Sequence, residues 1–120
     1  MARILIAEDE ETMRVLITRA LELDGHAVHA VADGAAAHDY LQGGGEADLM
    51  LADISMPVMD GIALALAASR DFPALPILLM TGYADQQARA SGLDTLIRGV
   101  ILKPFEIEKL RAQVREVLAA

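Results

Sequence analysis

Four short segments of this chain place residues that can do chemistry directly after apolar runs. Glu8, Asp9 and Glu10 follow Arg3-Ile4-Leu5-Ile6-Ala7. Asp53 follows Leu49-Met50-Leu51-Ala52. Thr81 follows Ile77-Leu78-Leu79-Met80, and Lys103 follows Gly99-Val100-Ile101-Leu102. Brought together, Glu8, Asp9 and Asp53 could not all stay ionised without compensation, because like charges within a few ångströms disfavour one another. Lys103 adds a single positive charge, too little for three carboxylates. A hard divalent cation with oxygen ligands is the natural remedy, and Mg²⁺ suits it. Two carboxylates, a backbone carbonyl and waters fill its octahedron and leave positions for phosphate oxygens. A carboxylate nucleophile beside Mg²⁺, a lysine and a hydroxyl is equipment for phosphoryl transfer onto an aspartate.

Such a site needs elements that carry all four segments to one place. Strands are expected over Arg3–Ala7, Ala27–Val31, Leu49–Ala52, Ile77–Met80 and Gly99–Leu102, each a short apolar run. Helices are expected over Glu10–Leu23, Ala35–Leu41, Ile62–Arg70, Asp85–Ser91 and Glu106–Leu118. In the first, Met13, Leu16, Ile17, Ala20 and Leu21 recur at helical spacing; in the last, Ile107, Leu110, Val114, Val117 and Leu118 do. Asp24-Gly25, Asp33-Gly34, Gly43-Gly44-Gly45 and the Pro57-containing loop from Asp53 to Gly61 break the pattern. Strands alternating with helices imply an α/β fold, a doubly wound parallel sheet of order 2-1-3-4-5. In that order the carboxyl ends of strands one, three, four and five line one edge, so the polar residues after them share a cleft. The expectation is one domain over residues 1–120.

Composition narrows the alternatives. The chain has 18 acidic and 10 basic residues, a net charge of −8, and no cysteine. That charge repels phosphate backbones and anionic lipid, so neither direct nucleic-acid nor membrane binding is expected. No thiolate site or disulfide framework can exist. The opening apolar run is too short for a signal peptide or a spanning helix, and a cytoplasmic location is expected.

The chain resembles the receiver domains of bacterial response regulators, the CheY-like superfamily. The marks are Leu5-Ile6-Ala7-Glu8-Asp9-Glu10, Asp53-Ile54-Ser55-Met56-Pro57-Val58-Met59-Asp60-Gly61, Met80-Thr81-Gly82 and Lys103-Pro104-Phe105, in order along essentially the whole chain. The resemblance implies a flavodoxin-like (βα)5 receiver with Asp53 as phosphoacceptor. It implies that Mg²⁺ is bound by Asp9, by Glu8 directly or through water, by Asp53 and by the Ser55 carbonyl. Thr81 would be the switch hydroxyl, Lys103 the partner of the phosphoryl oxygens, and Lys103–Pro104 a cis peptide. The phosphoryl donor would be a sensor histidine kinase or histidine phosphotransfer protein. The receiver would self-phosphorylate and lose the group slowly rather than act as an enzyme.

Three positions depart from the family pattern. Val100 stands where a switching Tyr or Phe is common, Gly82 where Ala or Ser is usual, and Tyr83 lies two residues beyond Thr81. Tyr83 could take over part of the aromatic switching role or screen the acyl phosphate. The output is expected to be contact with an effector protein through the surface from Asp85 to Leu118, with Val100 and Phe105 as apolar contacts. The opening Ala-Glu-Asp, the Thr-Gly-Tyr-Ala run and the Ala119-Ala120 end resemble CpdR-type regulators, which are adaptors for a ClpX-type unfoldase. Plain fraying is the favoured account of the Ala119-Ala120 end. The alternative function is a phosphate shuttle or sink exchanging with a histidine phosphotransfer protein. A haloacid-dehalogenase-like hydrolase is disfavoured, because Ser55 stands where its second Asp would be. His26, His29 and His38 are expected to be structural. A monomer is expected, with dimerisation on phosphorylation left open.

Overall fold

The apolar runs between polar breaks form five strands: β1 (Arg3–Ala7), β2 (Ala27–Val31), β3 (Leu49–Asp53), β4 (Ile77–Thr81) and β5 (Gly99–Leu102). Helices α1 (Glu11–Leu23), α2 (Gly34–Gln42), α3 (Gly61–Asp71) and the closing α4 (Ile107–Ala119) accompany them. The structure, a computed structural model, describes residues 2–83, 86, 89–90 and 92–120. The helix expected over Asp85–Ser91 falls largely outside the described residues; Gln86, Arg89 and Ala90 are helical.

The strands pair in parallel in the order β2-β1-β3-β4-β5, as the alternation predicts. Successive side chains on a strand face opposite ways, so each central strand feeds two cores. Leu5, Ala7, Met50, Ala52 and Leu79 pack with Ala37, Leu64 and Ala68 on the α2–α3 side. Ile4, Ile6, Leu49, Leu51, Leu78 and Met80 pack with Ile17, Leu21, Leu110 and Val114 on the α1–α4 side. Covering on both faces is why β3 and β4 are buried at every position. Each large side chain fully buried there contributes about 1.5–3 kcal/mol. The edge strand β2 is covered less fully: Val28, Ala30 and Val31 are half-buried against the two cores, while Ala27 and His29 are exposed.

Local chemistry sets the helix starts. Asp33 and Asp60 each accept a hydrogen bond at 2.8 Å from a backbone N–H three residues on, Ala36 and Ala63. Glu10 does the same for α1, accepting from Thr12 N and Met13 N. At the other end of α1, Gly25 adopts φ +89°, a left-handed turn that glycine makes without strain. Arg111 on α4 bonds both carboxylate oxygens of Asp24, pinning the two helices together.

One apolar position of the helical spacing in α1 faces solvent. Leu16 is 49% exposed, although Ile17, Ala20 and Leu21 are buried. The inward stripe of α1 runs through Met13, Ile17, Ala20 and Leu21, the i, i+4, i+7 and i+8 positions. Position i+3 turns past the edge of that stripe into solvent.

Candidate functional site

The carboxyl edge of the sheet holds the buried polar residues Glu8, Asp53 and Thr81, at 0%, 6% and 0% exposure. Each comes from the end of a strand or the residue just after it. Glu8 N donates to Val31 O at 3.0 Å, which prolongs the β1–β2 pairing by one step. Asp53 closes β3 opposite Met80, and Thr81 closes β4 opposite Leu102. The loop leaving β3 is tightly folded: Ile54 N donates to Met80 O, and Gly61 N donates back to Ile54 O, both at 2.9 Å. A Cβ on Gly61 would lie 2.3 Å from the Asp53 carbonyl oxygen, so only glycine allows that return.

One cation ties the cluster together. Lys103 Nζ donates to Glu8 Oε1 and to Asp53 Oδ2, both at 2.7 Å. Its backbone arrives by a cis Lys103–Pro104 peptide, and Lys103 N donates to Thr81 O at 2.7 Å. Asp53 Oδ1 accepts from Ser55 N at 3.2 Å, and Glu8 Oε2 accepts from Glu10 N at 3.1 Å. Exposed Asp9 completes the group: Glu8, Asp9 and Asp53 each offer a carboxylate oxygen within 4.8 Å of the others.

The electrostatics follow from this crowding. Burial pushes the Glu8 carboxyl up to about 7, with the Asp53 charge adding to the rise. The Lys103 and Glu10 N–H bonds oppose it without cancelling it. Burial alone would lower Lys103, but its hydrogen bonds to Asp53 and Glu8 hold it above its ordinary value. Three acids face one ammonium group, so the site carries excess negative charge. An all-oxygen donor set with that excess fits a hard metal ion.

Residues 4–115 match the family of response regulator receiver domains. This chain is a receiver domain. It is 38% identical over 120 residues to the response regulator receiver protein CpdR of Brucella abortus, covering 100% of this chain and 99% of that protein. It is 35% identical over 119 residues to the sensor kinase CckA of the same species, but spans only 12% of that kinase. It spans 44% of the transcriptional regulatory protein TcrA of Mycobacterium tuberculosis, at 35% identity over 113 residues. Among solved structures, a CheY-like receiver from Methanospirillum hungatei superposes with a TM-score of 0.91 at 26% identity, covering 99% of this chain and 94% of that one. The response regulator TrrA of Thermotoga maritima, in complex with Mg²⁺ and BeF, gives 0.87 at 26% identity, covering 98% of this chain and 99% of that one. Receivers are signalling domains of two-component systems rather than conventional enzymes, and they work with sensor kinases.

Within this receiver the structure joins Glu8, Asp9, Asp53 and Lys103 directly, and holds Ser55 and Thr81 at the rim through backbone hydrogen bonds. None of the hydrogen bonds of the Thr81 hydroxyl among the described residues reaches the cluster; it bonds Gln86 Oε1 at 2.8 Å and Tyr83 N at 3.1 Å. Tyr83 is 60% exposed. Val100 and Phe105, expected as apolar contacts, are half-buried against the two cores. Val100 lies inside β5 beneath neighbouring elements, whereas Leu102, at the open end of the same strand, is 50% exposed. Among the described residues, Leu96, Leu102 and Tyr83 are large exposed apolar side chains in and beside that region.

Two supports had no signal in the sequence. Arg14 Nη1 donates to the Glu8 carbonyl at 2.8 Å, and Gln86 meets the Thr81 hydroxyl. Each is an ordinary polar side chain on a helix until the fold turns it inward. The histidines stand apart: His26 Nδ1 accepts from Ala2 N, His29 stacks on Tyr40 with centroids 4.1 Å apart, and His38 pairs with Asp71 at 3.2 Å. A groove of about 870 Å³ lined by Phe72, Pro76, Arg98 and Val117 contains none of the cluster residues.

Proposed function

We propose that this chain, as one receiver over residues 1–120, takes a phosphoryl group on Asp53 from a phosphohistidine donor and changes its protein contacts in response. The observation that carries this is the Lys103 ammonium shared at 2.7 Å between Glu8 and Asp53. A buried carboxylate is there held beside a cation and two further acids.

Asp53 is the nucleophile. One of its oxygens bonds to phosphorus as the P–N bond of the donor breaks, and the electron pair leaves on the imidazole nitrogen. Asp9, Asp53 and the Ser55 carbonyl, with Glu8 directly or through water, would hold Mg²⁺, which supplies positive charge against the phosphoryl oxygens. Lys103 already lies at the Asp53 carboxylate and turns to the incoming oxygens. Thr81 donates its hydroxyl to one of them. Tyr83, at the mouth of the site, screens the acyl phosphate from water and shares the switching role that Val100 has no ring to perform. Loss of the group by self-hydrolysis is slow.

The output is contact with an effector of the ClpX-type unfoldase kind, made by a cytoplasmic monomer. Likeness to CpdR over the full length of both chains supports this output. The net charge of −8 and the lack, among the described residues, of any helix long and apolar enough to cross a membrane agree with it. The likeness to part of a sensor kinase favours a second function, a shuttle or sink exchanging phosphate with a histidine phosphotransfer protein.

Acetyl phosphate and Mg²⁺ should place one phosphoryl group on Asp53, located by mass spectrometry, and none on Asp53→Asn. Modification elsewhere, or an unchanged Asp53→Asn, refutes the assignment. A pull-down comparing wild type, Asp53→Ala and beryllofluoride-treated protein separates an effector adaptor from a shuttle. Light scattering of the treated sample reports dimerisation.

A further inference from the structure

We propose that Gln86 is a positioning residue that latches the Thr81 hydroxyl in the resting state, and that phosphorylation acts by taking this hydroxyl from Gln86. This rests on the reading of Asp53 as phosphoacceptor and Thr81 as its switch.

Thr81 is fully buried, and a buried hydroxyl needs partners. It has one proton to give. The short contact is to Gln86 Oε1 at 2.8 Å, whereas Tyr83 O lies at 3.4 Å. Its oxygen also accepts from Tyr83 N at 3.1 Å. Its one proton is therefore already given to Gln86, and none of its bonds among the described residues reaches the acid cluster. A phosphoryl oxygen on Asp53 can engage Thr81 only by competing with Gln86.

The same geometry gives the displaced bond a route outward. Gln86 lies in the helical stretch with Arg89 and Ala90, and Ala90 is fully buried in the α2–α3 core. Residues four apart on a helix share a face, so freeing Gln86 alters the face that Ala90 anchors. Gly82 directly follows Thr81. Among the described residues, a Cβ on Gly82 would meet Lys103 Cβ at 3.6 Å, an ordinary contact that leaves room for the backbone to shift. Val100, half-buried and without a ring, provides no rival relay. The latch thus gives this chain a polar handle on the threonine in place of an aromatic one.

The test is the affinity for beryllofluoride in Mg²⁺, measured by calorimetry for wild type, Gln86→Ala and Gln86→Met. Each variant is first checked for a cooperative unfolding transition, and the methionine keeps the side-chain bulk should alanine impair folding. Loss of the latch should tighten binding about fivefold, the factor that a net hydrogen bond of about 1 kcal/mol represents. In a Thr81→Val background, which has no hydroxyl to hold, the same Gln86 substitutions should change affinity by less than about twofold. Unchanged affinity in the Thr81 background, or equal tightening in both backgrounds, overturns the latch. Asp53→Asn should bind no beryllofluoride; if it binds, the phosphoacceptor reading itself falls, whatever Gln86 does.

Discussion

Replacing Glu8 by Gln should stabilise the metal-free protein at alkaline pH, even though it deletes a hydrogen-bonded charge. Glu8 is fully buried and shares Lys103 with Asp53. Its carboxyl is lifted from an ordinary 4.5 to about 7, chiefly by burial. At about 1.4 kcal/mol per unit, keeping it ionised at pH 8 costs the fold about 3 kcal/mol. Between 4.5 and 7 the native state binds more protons than the unfolded chain, so wild-type stability must fall as pH rises through that window. Gln cannot ionise. It does give up one acceptor, because its amide NH₂ cannot receive the Glu10 N–H that Oε2 now accepts. That loss costs about 1 kcal/mol. The net gain at pH 8 should be about 1–2 kcal/mol, or about 5 °C in Tm for a domain of this size. Urea unfolding in EDTA at pH 5, 6.5 and 8 tests it. Wild type should weaken across the series and Glu8→Gln should stay nearly level. Added Mg²⁺ should restore wild type at pH 8 and help the variant far less. A flat wild-type profile, or a variant weaker than wild type at pH 8, would refute the burial argument.

Other consequences are simpler to read. Gly61→Ala must displace the Asp53 carbonyl, 2.3 Å from the new Cβ; a loss of about 1–3 kcal/mol in urea unfolding, with slower acetyl phosphate labelling, is expected. Among the described residues Gly82→Ala meets an ordinary contact at 3.6 Å, so it should raise stability by about 0.4–1 kcal/mol through the unfolded chain, which thermal unfolding would show. Asp24 is held below its ordinary pKa by its bond from Arg111, so this contribution is full above that ordinary value and is lost as pH falls through the lowered one. Acid titration followed by circular dichroism should show Asp24→Asn weaker than wild type at pH 7, with the gap closing at low pH.

The alternation of apolar runs and helical stretches was enough to determine the strand order, because parallel strands buried on both faces leave few ways to connect β–α units. It also indicated which polar residues reach one edge of the sheet. Where strands are parallel, the residue after each apolar run arrives at the same edge whatever the details of packing. Glu8, Asp53, Thr81 and Lys103 could therefore be brought together on paper. Pattern alone did not show that Leu16 faces solvent, since helical spacing marks a stripe but not its width. Nor did it show how far Val100 and Phe105 are buried, since depth depends on what covers the end of the sheet.

Only the tertiary structure decided how the charges divide. That Lys103 is shared between Glu8 and Asp53 depends on three side chains converging from strands far apart in sequence. That Glu8 is the buried acid and Asp9 the exposed one depends on which way the chain leaves β1, guided by Arg14 and Glu10. The Gln86 contact is of the same kind. Hydrogen bonds are short-ranged and directional, so a sequence can specify which groups meet at an edge, but only packed coordinates show which pair lies within 3 Å.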